Sequence, residues 1–141
     1  DKVALLAVFI PLIAGMAGNS GTQALAVAVR GIATGDIEEE SKTKLLFREA
    51  GTGLITGLIC GLLVVGVVFF WKHDLLIGIL VGSSIFGSIF VATLGGSFIP
   101  LLMHRMKIDP AVASGPFITT VNDVVSILIY LGLATLFISS L

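Results

Sequence analysis

Long uncharged stretches alternate with short charged ones along the chain. Val3 to Val29 carries no charged residue, and neither does Ala50 to Trp71 or Leu75 to Met103. A fourth stretch, Ala111 to Leu141, is interrupted once, by Asp123. About 20 apolar residues in a helix cross a bilayer. The pattern therefore predicts four spans, at about residues 3–29, 50–71, 75–103 and 111–139. The fold class that follows is an all-α membrane protein, a polytopic transmembrane helix bundle. The first stretch is too long for a cleavable signal peptide and has no basic leader.

Between the first two spans the sequence reads TGDIEEESKTKLLFRE. Asp36 with Glu39 three residues later resembles a capping box, and Ile37, Leu45, Leu46 and Phe47 form an apolar stripe. This predicts a short interfacial helix leading into the second span, within a connection at 31–48. The acidic run Glu38-Glu39-Glu40 reads as a solvated face, or as a weak attraction for cations at a pore mouth.

Composition agrees with the pattern. Hydrophobic residues make up 56% of the chain and charged ones 12%, against about 25% charged in soluble domains. The mean hydropathy is +1.11. A net charge of −1 argues against a nucleic-acid partner. A single cysteine, Cys60, excludes an intrachain disulfide and reads as a small packing residue. Six of the eight Lys and Arg residues fall in two connections: Arg30, Lys42, Lys44 and Arg48 in one, Arg105 and Lys107 in the other. By the positive-inside rule that side is cytoplasmic. Both ends of the chain then face outward, which predicts a further span ahead of these four and a longer parent protein. The expected location is the cell (inner or plasma) membrane, in a multi-pass topology.

Small residues recur at four-residue spacing. Gly53, Gly57 and Gly61 lie on one face of the second span; Gly78 and Gly82, Ser83 and Gly87, and Ala92 and Gly96 are paired along the third. Such faces let membrane helices approach closely, and they predict a packing scaffold.

Polar chemistry gathers in the other two spans. The first holds Pro11, Gly15, Gly18 and Gly21, residues that weaken a helix, beside Asn19, Ser20, Thr22 and Gln23. Polar groups at that depth belong against protein or a water-filled path. The fourth opens with Asp109-Pro110, a helix-start signal, is interrupted at Gly115-Pro116, and continues through Thr119, Thr120, Asn122 and Asp123. Gly115, Thr119 and Asp123 share one helical face.

Asp123 needs compensation. One charge near the bilayer centre costs about 2.5–3.5 kcal/mol on insertion scales, and no basic residue lies inside any span. The natural counter-charge is a transported cation. Twofold symmetry, the commonest in oligomers, would bring two copies of Asp123 together to balance one divalent ion. His73 and His104 sit at span ends, which argues against a zinc-like site. Oxygen ligands this few suit an ion that keeps most of its own water, as Mg²⁺ does.

The pattern Pro11…Gly18-Asn19-Ser20-Gly21-Thr22-Gln23, followed by Asp109-Pro110-Ala111…Ser114-Gly115-Pro116…Thr119-Thr120…Asp123, resembles the transmembrane domain of the MgtE magnesium transporters and channels, and of the related eukaryotic carriers. The resemblance covers essentially the whole chain. It implies a homodimer with five helices per subunit and a pore at the dimer interface, lined by the helices matching 3–29 and 111–139. It implies that Asp123 holds hydrated Mg²⁺, with Thr119 and Gly115 contributing one and two turns earlier. Gly18, Asn19, Gly21, Gln23, Pro116, Thr120 and Asn122 fall to the pore lining. Mn²⁺ and Co²⁺ are alternative cargoes. No organic cofactor and no enzymatic activity are implied. The family's first helix, its N-terminal cytoplasmic domain and its paired CBS domains have no counterpart in these residues. Gly115 has no side chain where some members carry a polar one.

Other classes compete. A cation-coupled secondary carrier for another solute, or a Na⁺/Mg²⁺ exchanger, would also use broken helices rich in Gly, Asn and Thr. A purely structural membrane subunit would tolerate loss of Asp123. An intramembrane serine protease built on Ser20 would need a mid-span histidine, and both histidines lie at span ends.

Overall fold

The structure is a computed structural model, and it describes residues 2–37 and 39–137. It is all-helical: α1 spans Lys2–Ala33, α2 Glu39–Lys72, α3 Leu75–Arg105 and α4 Gly115–Phe137, with a 3₁₀ turn at Pro110–Val112. Among the described residues these four helices are long and apolar enough to cross a membrane. Side chains of the Glu38–Glu40 acidic run, and the last residues of the expected fourth span, lie outside the described residues.

The third helix is the hub. It packs against α1, α2 and α4, whereas α1 and α2 barely meet. Its seam with α2 uses the predicted small residues. A Cβ built on Gly61 would lie 2.7 Å from the Gly82 carbonyl oxygen, and one on Gly57 3.0 Å from that of Phe86. The obstacles are backbone atoms rather than flexible side chains, so a Cβ at Gly61 would force the helices apart and one at Gly57 would press on its neighbour. A dry core closes one end of the bundle, where Phe9, Ile13, Leu80, Val81, Ile85, Ile89 and Tyr130 are buried together. The Tyr130 hydroxyl donates to the Leu6 carbonyl at 2.8 Å, tying α4 to α1. At the other end Ala28, Leu45 and Leu101 form a smaller cluster.

The connections obey local chemistry. Gly35 takes φ 73° just past α1, while Asp36 N–H donates to Gly31 O at 3.1 Å and Gly35 N–H to Ile32 O at 3.2 Å. That is the Schellman pattern, which favours glycine at the left-handed position. Asp74 caps α3, its Oδ1 accepting from Ile77 N–H at 3.1 Å.

Three local expectations change. The interfacial helix is not a separate element, because α2 runs unbroken from Glu39 through the apolar stretch to Lys72. Glu, Lys, Leu and Arg are all good helix formers, so a change from charged to apolar composition does not stop a helix. Likewise α1 passes through Pro11 and its glycines as one helix. Gly115-Pro116 begins α4 rather than interrupting it. In a first turn the missing proline N–H costs no helical hydrogen bond. Asp109-Pro110 opens the 3₁₀ turn instead, with Asp109 Oδ1 accepting from Ala111 N–H at 2.9 Å.

Candidate functional site

Where α1 packs on α4, some of the residues singled out in the first and fourth spans come together. Gly18 faces the acid. A Cβ there would sit 3.3 Å from Thr119 Cγ2 and 4.0 Å from Asp123 Oδ1. Glycine thus leaves room for a threonine and a carboxylate one turn apart on α4. Thr119 Oγ1 donates to Gly115 O at 2.9 Å, and Thr22 Oγ1 to Gly18 O at 3.0 Å. A hydroxyl has one proton and two lone pairs, so each keeps acceptor capacity after that bond. Asp123 is half-buried. No hydrogen bond or ion pair engages its carboxylate among the described residues.

One turn along, the seam is tight. Asn122 is 5% exposed, and its amide abuts Gly21, so closely that any side chain on Gly21 would overlap it. Gly21 is pressed from its other side by Gly96 of α3, whose Cα faces the Gly21 carbonyl. Asn122 Nδ2 has no hydrogen-bond partner in this junction.

The expected site residues therefore divide. Gly18, Thr119 and Asp123 come together, and Gly21 meets Asn122 in a buried three-helix contact. Asn19, Pro116 and Thr120 lie on the exposed surface of the single chain, and Thr120 Oγ1 donates to Pro116 O at 2.9 Å. Gly115 is half-buried, with nothing within 4 Å of where a Cβ would stand. Gln23 is exposed and borders a different pocket, facing α2. Among the described residues no cluster of three His, Cys, Asp or Glu side chains is present to hold a metal. One chain offers a cation a single carboxylate here, with neutral oxygens around it.

Sequence reasoning passes over Glu49. It reads as one of the charges of the connection, yet it is 6% exposed. A signal is present: Glu49, Thr52 and Thr56 stand at i, i+3 and i+7 and share a face.

The similarities of the chain agree with this chemistry. Residues 10–133 match the MgtE family model, described as a divalent cation transporter. The chain is 44% identical over 140 residues to the magnesium transporter MgtE of Bacillus subtilis strain 168, covering 99% of this chain and 31% of that protein. It is 49% identical over 137 residues to the magnesium transporter MgtE of Enterococcus faecalis, covering 97% of this chain and 30% of that protein. Identity to the magnesium transporter MgtE of Thermus thermophilus is 36% over 140 residues, covering 99% of this chain and 31% of that protein. The chain thus spans about a third of the length of these curated relatives. By the extent of these matches, the chain belongs to the MgtE family of divalent cation transporters.

Proposed function

We propose that residues 1–141 form a membrane transport domain that moves Mg²⁺ across the cell membrane, through a pore at the interface of a homodimer. The observation that carries this reading is the unpartnered carboxylate of Asp123, opposite Gly18 and beside Thr119. Insertion of such a charge costs about 2.5–3.5 kcal/mol, and no basic side chain lies inside the spans to offset it. A second copy of the chain would double the charge at the site to −2, which one divalent cation neutralises. Mg²⁺ gives up its waters reluctantly and commonly binds through one or two carboxylates. A site with one acid per chain and outlying hydroxyl and carbonyl oxygens suits an ion that arrives hydrated. Thr119, Gly115 and the exposed Asn19, Pro116 and Thr120 then face the water around it, and Gly18 supplies clearance. The buried pair Gly21 and Asn122 holds the wall behind the lining. The magnesium transporters among the relatives support Mg²⁺ as the cargo. Oxygen-rich, water-rich sites discriminate weakly against Mn²⁺ and Co²⁺, so these compete for the same site.

The test is Mg²⁺ uptake by liposomes containing the purified protein, wild type beside Asp123→Asn, which keeps the shape and removes the charge. The expected outcome is loss of at least about tenfold in flux, the scale of one lost charge contact, with dimerisation intact by light scattering. Equal flux in both proteins would remove Asp123 from the mechanism.

A further inference from the structure

A second buried acid lies on the far side of α1 from Asp123. Ser20 and Val27 are two and nine positions beyond Gly18, so at 3.6 residues per turn they point about 200° and about 180° away from it. They border a pocket of about 150 Å³ between α1, α2 and α3. Its polar lining is Ser20, Gln23, Glu49, Thr52, Thr56 and Thr93. A single water needs about 10–15 Å³ of such space, so the pocket admits several.

Glu49 is 6% exposed, yet its carboxylate is poorly compensated. Arg48 Nε stands 3.7 Å from Oε1, and the Arg48 side chain is 66% exposed. Charge-assisted N–H···O bonds run about 2.7–2.9 Å, so this contact is too long to be one. Adjacent residues on a helix do not face each other, which is why the guanidinium stays at the surface while the carboxylate turns inward.

Two of the four hydroxyls around the acid have already used their protons. Thr52 Oγ1 donates to Arg48 O at 3.0 Å, and Thr93 Oγ1 donates to Ile89 O at 2.7 Å. With its proton engaged, each oxygen is an acceptor toward its remaining surroundings. Ser20, Gln23 and Thr56 have no hydrogen bond among the described residues, so the Gln23 amide does not neutralise Glu49. The lining thus combines one carboxylate, two hydroxyl oxygens turned to acceptors, further neutral oxygens on Ser20, Gln23 and Thr56, and room for water. Thiolate and imidazole are missing from it, so soft metals have no preferred ligand. Glu49, Thr52 and Thr56 share one face of α2, and Ser20, Gln23 and Val27 share one face of α1; α3 adds Thr93 from the third side.

From this we infer that the Glu49 pocket is a second cation site, separate from Asp123, that holds a hard, partly hydrated metal cation by one carboxylate and neutral oxygens. Two ions supply that chemistry. Mg²⁺ would make it a staging site for the cargo. Na⁺, whose single charge matches a single carboxylate, would make it a site for a second ion. The inference does not depend on the pore reading, because the two acids lie on opposite sides of α1.

The experiment is thermal unfolding of the purified full-length protein at constant ionic strength, titrated with MgCl₂ or NaCl against choline chloride. It is done in the Asp123→Asn background, so the other acid cannot contribute. The expected result is a saturable rise in Tm with one of the two cations that disappears when Glu49→Gln is added. Thr93→Val, which keeps the charge and removes one oxygen, is expected to weaken the midpoint severalfold. Saturation by Mg²⁺ identifies a cargo site, and saturation by Na⁺ alone identifies a monovalent one. Identical titrations with and without Glu49→Gln would overturn the inference. If Glu49→Gln does not fold, Thr93→Val decides: an unshifted midpoint for both cations overturns it equally.

Discussion

Two helix pairs in this molecule use glycine for opposite purposes. In the α2–α3 hairpin, Gly57 and Gly61 face backbone carbonyls of the neighbouring helix. Their missing side chains let two main chains touch, and dispersion across that contact takes the place of a hydrophobic drive that lipid does not supply. In the α1–α4 pair, Gly18 and Gly21 face the side chains of Thr119, Asp123 and Asn122. There the missing side chain is clearance for a polar group. The same residue at similar spacing closes one seam and furnishes the other. The difference is decided by what stands opposite, which no single span reveals.

Substitutions can test that contrast. The largest effect is expected at Gly61→Leu, which drives a side chain into the Gly82 backbone. It should cost about 3 kcal/mol, seen as a collapse of Tm and loss of the monodisperse peak. Gly66→Leu is the control, since nothing lies within 4 Å of a Cβ there. A stable Gly61→Leu protein would mean the hairpin does not rely on main-chain contact.

An intermediate effect is expected at Gly21→Ala, where the new methyl overlaps the Asn122 amide. About 2 kcal/mol of destabilisation should shrink in the double variant Gly21→Ala/Asn122→Ala, because residues in contact couple. Additive losses would show that Asn122 is not the obstacle, and would shift attention to the Gly96 side of the junction.

The smallest stability effect is expected at Gly18→Ala. The methyl would meet Thr119 Cγ2 at 3.3 Å, a slight crowding offset by the better helix propensity of alanine, so Tm should move by less than about 1 kcal/mol equivalent. Mg²⁺ flux should nevertheless fall severalfold, since the clearance beside Asp123 is lost. Unchanged flux would make Gly18 a packing residue like those of the hairpin.

Much of this architecture is legible from charge alone. The long uncharged stretches correspond to long helices because length and apolarity are properties of the local sequence. The continuity of α2 back to Glu39 is not legible, since hydropathy reports on solvent and the backbone responds to helix propensity. Asp123 stands out because it is the lone charge in an apolar run. Glu49 does not, because it ends a charged run, and only the packing of α1 and α3 over it makes it buried. The division between Asn122 and Thr120, two residues apart in α4, likewise needs the neighbouring helices. One turns into the junction and the other out to the surface.

The Tyr130 hydroxyl on the Leu6 carbonyl has a mechanical meaning. It fastens α1 to α4 at the end where the core is dry, and the Gly21–Asn122 contact fastens the same pair again beyond Gly18. Gly18 lies twelve residues from Leu6, about 18 Å at 1.5 Å per residue, and only about 4.5 Å short of Gly21. The stretch of α1 facing Asp123 is therefore a beam clamped at both ends, and a beam held so presents the carboxylate with a stiff wall.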